Sequence, residues 1–290
     1  MTQRWALVWA AALGCSGSRV TAVPSRGVPL RAGLDAAVAT ATVGPRVAFG
    51  AGLSQLGRAT DEAHFEERPP RAARLGAFAL DRDEVARGAY MQCVAARQCQ
   101  APRCEGSVTE SVRCVPWAEA ARYCAYAGGR LPTEAEWERA AAGPLPGHRA
   151  YVWGELAPAT GEPPDETPEG VRGLARGLAE WVLDGGDFYP PLPRPASLDG
   201  GADAGADGGL GDAEAVDVGE RTDEGLFIFD DPRGPPRSPW RVVRGGDART
   251  PLAAQQTTLR RFREPDDALP WVGFRCAYPG AESAAPAAGP

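Results

Sequence analysis

The run Gly129-Arg130-Leu131-Pro132-Thr133-Glu134-Ala135-Glu136-Trp137-Glu138 decides how this 290-residue chain is read. Pro132 cannot sit inside a helix, and Thr133 followed three positions later by Glu136 is the capping-box pattern that opens one. The predicted helix runs to Ala142 with Trp137 and Ala141 on one face. Just upstream, Gly128-Gly129 closes another helix, predicted from Trp117 to Ala127 behind Pro116. Glu134, Glu136 and Glu138 form an acidic cluster, but acids in a first turn are what the helix dipole favours, so the cluster reads as structural before it reads as acid–base machinery.

Further upstream, Glu84 to Ala96 reads as a helix with Val85, Ala89 and Cys93 on one stripe, weakened by Gly88. Val47 to Gly50 and Leu75 to Leu80 read as short strands on either side of the turn Asp61 to Pro70. Downstream, Phe227 to Phe229, Trp240 to Arg244 and Val272 to Ala277 are strand-like. Few helices among short strands predict an α+β domain, expected over residues 45–279, with a fraying tail at 280–290. Residues 197–223 are an acidic Gly/Ala stretch with almost nothing to bury, read as a surface insertion, and their Asp and Gly content leaves calcium open there.

Composition removes several function classes. All 31 basic residues are arginine, so neither a Schiff-base lysine nor a phosphate-loop lysine exists. With 38 acidic residues the net charge is −7 and no basic block is present, which argues against nucleic acid as a partner. His64 and His148 are the two histidines, too few for a three-imidazole metal site within the chain.

At the N-terminus Arg4 precedes nine apolar residues, Trp5 to Leu13, the length of an export-signal core and far short of the ~20 needed to span a bilayer. Ala12-Leu13-Gly14-Cys15 resembles a lipobox. The expectation is a signal peptide over 1–14, then lipidated Cys15 and a tether over 15–44, with membrane contact through the lipid and a bacterial outer-membrane or periplasm-facing location. The alternative is an ordinary signal peptide that leaves Cys15 as a spare thiol. Setting Cys15 aside leaves six cysteines, Cys93, Cys99, Cys104, Cys114, Cys124 and Cys276, an even number in an exported chain, hence three disulfides. Their spacing matches no paired C-x2-C zinc pattern.

Several runs resemble the formylglycine-generating enzyme, or sulfatase-modifying factor, family, whose fold is a compact variant of the C-type lectin domain. They are Asp83-Glu84-Val85, Val115-Pro116-Trp117, the Gly129 to Glu138 run, Tyr151-Val152-Trp153-Gly154, Ala179-Glu180-Trp181, Arg241-Val242-Val243-Arg244-Gly245-Gly246 and Gly273-Phe274-Arg275-Cys276. The resemblance implies a Cys124–Cys276 disulfide. For the other four cysteines three pairings are open, and Cys99–Cys104 with Cys93–Cys114 is the favoured one.

The resemblance also implies a copper-dependent oxidase, and there the chain departs from it. Catalytic members carry two cysteines between the Gly-Gly and Gly-Phe-Arg runs. Here Gly245-Gly246 is followed by Asp247, and 248–272 holds no cysteine. The family's calcium-binding Gly-Asn-Val before Glu-Trp reads Arg176-Gly177-Leu178. No catalytic residue, metal or other cofactor is therefore expected. The resemblance implies that the segment with Asp247, Arg249, Arg260 and Arg263 (and Arg261 between them) lines a substrate groove, suited to a carboxylate, phosphate or sulfate group, or else self-neutralised by Glu264, Asp266 and Asp267. The expected function is binding of a peptide, glycan or envelope protein, with a family-type oxidase as the alternative.

Overall fold

The structure, a computed structural model, describes residues 44–60, 63–156, 161–192 and 219–280. The signal peptide, Cys15, the tether, the C-terminal tail and most of the acidic stretch, with the calcium reading on it, lie outside the described residues. No helix among the described residues is long and apolar enough to cross a membrane.

Ten short strands form three small sheets. Strands β1 (Arg46–Phe49), β4 (Phe78–Asp81) and β10 (Ala277–Pro279) make an antiparallel sheet with β4 in the centre. Strands β2 (Gly52–Leu56), β3 (Arg71–Leu75) and β6 (Ile228–Asp230) make a second. The third runs β8 (Arg260–Arg263), β7 (Arg241–Arg244), β5 (Ala179–Gly185), β9 (Val272–Gly273), with β9 parallel to β5. The helices are α1 (Arg87–Ala95), α2 (Trp117–Tyr126) and α3 (Glu134–Ala142).

The helix at the signature run forms as its residues require. Thr133 Oγ1 accepts from Glu136 N at 3.1 Å and Glu136 returns a carboxylate to Thr133 N at 2.8 Å. Helix α2 stops where Gly128 takes φ +80° and Gly129 N reaches Cys124 O at 2.8 Å, a left-handed cap that a side chain would disfavour. Helix α1 starts three residues later than its periodicity predicts, because Val85 and Ala86 pair with other chain segments: Val85 N bonds Phe274 O, and Ala86 bridges Ser111.

Two predicted strands are each cut in two by the tertiary structure. The Leu75 to Leu80 strand breaks at Gly76-Ala77, where the chain leaves the sheet of β3 for that of β4. Val272 to Ala277 likewise divides into β9 and β10, with Phe274, Arg275 and Cys276 buried between two sheets. One apolar core packs α3 with Phe49, Phe78, Leu80 and Val242, and the other packs α1 and α2 with Trp181, Val272 and Phe274.

Cys124–Cys276 is a disulfide tying α2 to the segment before β10. The favoured pairing of the other four cysteines is corrected: Cys93 bonds Cys99, with Cα atoms 5.3 Å apart, and Cys104 bonds Cys114, at 5.5 Å. The turn after α1, where Gln98 N and Cys99 N both bond Cys93 O, folds Cys99 back onto the helix end beside Cys93.

Candidate functional site

The Arg-Gly-Gly run ends β7 at a backbone crossing with no room for side chains. Gly245 takes φ +77°, and an added Cβ there would lie 2.5 Å from Leu174 O; at Gly246 it would lie 2.4 Å from Ala175 O. The crossing turns the chain outward at Asp247, whose carboxylate accepts Arg249 N at 2.7 Å and pairs with the Arg249 guanidinium at 3.3 Å. Thr250 closes the turn by accepting Asp247 N at 3.0 Å.

Opposite stands β8, in register with β7 from Arg244↔Arg260 to Arg241↔Arg263. Side chains alternate along a strand, so its arginines part company. Arg261 and Arg263 face the Asp247 turn and lie 5.6 and 5.0 Å from the centre of the Trp271 ring. Together with His64, Asp247, Arg249 and Thr250 they line an open groove of about 430 Å³. Burial holds Arg261 below the ordinary arginine value, partly offset by Asp247, with Arg263 adding to the depression. Neither Arg261 nor Arg263 has a carboxylate within ion-pair distance among the described residues, so Glu264, Asp266 and Asp267 do not neutralise them.

Arg260 is on the other face of β8 and does not belong to the groove. It is 6% exposed and clasps Glu134 through Nε at 2.7 Å and Nη2 at 2.8 Å. Arg244 joins the same cluster, donating to Glu134 at 3.1 Å and to Glu138 at 2.5 Å. Burial pushes the Glu134 carboxyl up, but Arg260 and Arg244 outweigh it and hold the group below the usual range. The acidic cluster of α3 is thus structural, for a reason other than the helix dipole. Glu134 and Glu138 fix β7 and β8 to the helix, while Glu136 caps it and binds Arg130 at 2.5 Å.

A second buried clasp holds the C-terminal run. Arg275 meets Glu180 at 2.6 Å and Trp137 Nε1 donates to the same carboxylate at 2.9 Å. Sequence reasoning placed Arg244 and Arg275 in signature runs without seeing these roles. It also missed Arg71 and Tyr189, which line a cavity behind β8.

The donor set does not fit the family's metal centres. Copper(I) requires soft ligands, but six cysteines of the described residues are locked in disulfides, and Met91 lies on α1, away from the groove. Histidine-built iron fares no better. His64 lines the groove, whereas His148 sits in another cavity against Glu138 at 3.4 Å. Among the described residues no group of three or more His, Cys, Asp or Glu is placed to hold a metal. At the position matching the family's calcium segment, Asp165 accepts Ala175 N and Arg176 N at 3.0 and 2.7 Å, and Glu84 accepts Leu178 N at 2.6 Å.

The profile of the family described as "Sulfatase-modifying factor enzyme 1-like domain" matches residues 35–279. The formylglycine-generating enzyme of Thermomonospora curvata is 32% identical over 56% of this chain and 54% of its own length. Hercynine oxygenase of Mycobacterium tuberculosis is 31% identical over 58% of this chain and 37% of its own. The matches therefore span about half or less of these relatives' length. Among solved structures, PvdO from Pseudomonas aeruginosa shares the fold with a TM-score of 0.59 at 17% identity, covering 81% of this chain and 94% of that one.

Proposed function

The chain belongs to the sulfatase-modifying factor family, and from that premise we propose that it is a non-catalytic member that binds an anionic peptide or glycan segment through the Arg261–Arg263 groove. The observation that carries this reading is the pair of guanidiniums at positions i and i+2 of one strand face. Among the described residues no carboxylate lies within ion-pair distance of either, and both are braced on Trp271, in the stretch where the resemblance leads one to expect a thiol pair. Planar donors against an aromatic floor suit a carboxylate, sulfate or phosphate oxygen, with the exposed Arg249 able to swing in from its Asp247 pairing. The N-terminal reading complements it: an exported chain held at the bacterial envelope by lipid on Cys15 presents this groove to envelope peptides and polysaccharides.

The test is an array of acidic and neutral peptides and glycans probed with the full chain and with Arg261→Ala/Arg263→Ala. An acidic ligand weakened at least tenfold in the double variant supports the proposal, and unchanged binding overturns it. The second reading, a metal-dependent oxidase, is favoured by the names of the two enzyme relatives. Stoichiometric copper uptake with dioxygen consumption would select it.

A further inference from the structure

Behind β8, on the side away from the groove, lies a second and more enclosed cavity of about 270 Å³. Its walls are mostly apolar, with Phe188, Tyr189, Phe229 and Pro235 prominent, and Arg71 and Arg260 also line it. Of the three arginines that line it, two are paired with carboxylates. Arg260 is clasped by Glu134, and Asp184 accepts the backbone N–H groups of Glu134 and Gly234 at 2.7 and 2.6 Å. Asp187 accepts Phe188 N, Asp230 pairs with Arg74, and Arg233 pairs with Asp231.

The exception is Arg71, the first residue of β3. It is 3% exposed, yet no carboxylate lies within ion-pair distance among the described residues. Its Nη2 donates to Pro190 O at 2.7 Å and its Nε to Pro69 O at 3.4 Å, while Nη1 has no partner among the described residues and is open to the cavity. The guanidinium lies 4.7 Å from the centre of the Tyr189 ring and 5.1 Å from that of Phe229, and Arg260 covers Tyr189 at 4.2 Å. A buried cation without a counter-charge is costly, and an anion entering beside it offsets that cost.

We propose that this cavity binds a small aromatic carboxylate, its anionic end on Arg71 Nη1 and its ring among Phe188, Tyr189 and Phe229. The size agrees, since a cavity of ~150 Å³ accepts benzene and this one leaves room for a carboxylate besides. The aromatic walls favour an organic anion over phosphate or sulfate, which would leave them facing water. The site is separate from the Arg261–Arg263 groove and stands or falls independently of it.

The same chemistry comes from a free aryl acid or from a peptide ending in an aromatic residue, so both serve as probes. Isothermal titration of the full chain compares phenylacetate with its neutral isostere 2-phenylacetamide, and N-acetylphenylalanine with N-acetylphenylalaninamide. The expected result is at least a tenfold preference for the acid in one pair, and the pair that shows it identifies the source. Arg71→Gln should abolish the preference. Phe188→Ala, at the half-exposed mouth and no threat to folding, should weaken the acid several-fold, whereas Arg261→Ala/Arg263→Ala should change nothing. Equal binding of acid and amide, no binding at 10 mM probe (about a hundred times weaker than a 0.1 mM site), a preference that survives in Arg71→Gln, or acid binding undiminished in Phe188→Ala overturns the proposal.

Discussion

Replacing Arg275 by methionine tests how the signature runs hold the molecule together. The side chain is fully buried, and its six hydrogen bonds to Glu180 and to the carbonyls of Asp81, Arg82 and Arg172 join four stretches of chain. Methionine fills much of the volume but strands Glu180, itself 0% exposed, with Trp137 Nε1 as its remaining side-chain donor among the described residues, at 2.9 Å. Breaking a buried ion pair from one side costs roughly 3–5 kcal/mol. Against a typical total of about 5–15 kcal/mol, a fifth or more of the stability goes. The assay is urea unfolding followed by tryptophan fluorescence with disulfides intact. Arg74→Met is the control, since Arg74 pairs with Glu220 and Asp230 in solvent, where water and salt screen the attraction and the midpoint should hardly move. Adding Glu180→Gln to Arg275→Met should recover part of the loss by removing the stranded charge. The reasoning fails if Arg275→Met shifts the midpoint no further than Arg74→Met, or if the double variant is no more stable than the single one.

Stability should also depend on pH in an uncommon direction. Asp81 and Asp184 are pushed up to about 6, by burial first, so the folded state holds their protons more tightly than the unfolded chain does. Their contribution is complete below about pH 4 and is lost as pH rises through about 6, about 3 kcal/mol per group at 1.36 kcal/mol per unit. The urea midpoint should therefore be higher at pH 5 than at pH 8, with Asp81→Asn flattening the difference; a higher midpoint at pH 8 contradicts this. Glu134 and Glu169, held low by arginines against the opposing effect of burial, act the other way and withdraw stability only under more acidic conditions. For the disulfides, Cys124→Ala/Cys276→Ala opens a separation of 152 residues and Cys104→Ala/Cys114→Ala one of 10, so the first should cost roughly 5 kcal/mol and the second roughly 3 on chain-entropy grounds. Equal midpoint shifts in the two double variants would count against that ordering.

What was legible in the sequence was written locally. Thr133 with Glu136 and the Gly128-Gly129 pair specify helix ends through contacts a few residues apart, and α2 and α3 fall where those signals put them. Leu75 to Leu80 and Val272 to Ala277 have the composition of strands, but the hand-over of each from one sheet to another depends on partners far along the chain. Counting cysteines yields three disulfides without choosing partners for Cys93, Cys99, Cys104 and Cys114, because that choice depends on where the turn after α1 goes. In the groove, grouping Arg260 with Arg263 ignored the two-residue alternation of a strand, which alone joins Arg261 to Arg263 and sends Arg260 inward. The buried arginines 71, 244 and 275 were the least accessible to reading, since arginine is ordinarily a surface residue and only a three-dimensional neighbour reveals the exception.

The two faces of β8 bear on how such a chain can change over generations. Its inward residue, Arg260, is committed to Glu134, so substitutions there tug on α3 and on the whole charge cluster. Its outward residues, Arg261 and Arg263, touch little besides Trp271 and the Asp247 turn. Inheritance can therefore edit the outward row almost freely while the inward row stays constant. A lineage can trade one chemistry for another on this strip, and its descendants will keep the same recognisable frame long after their activities have diverged.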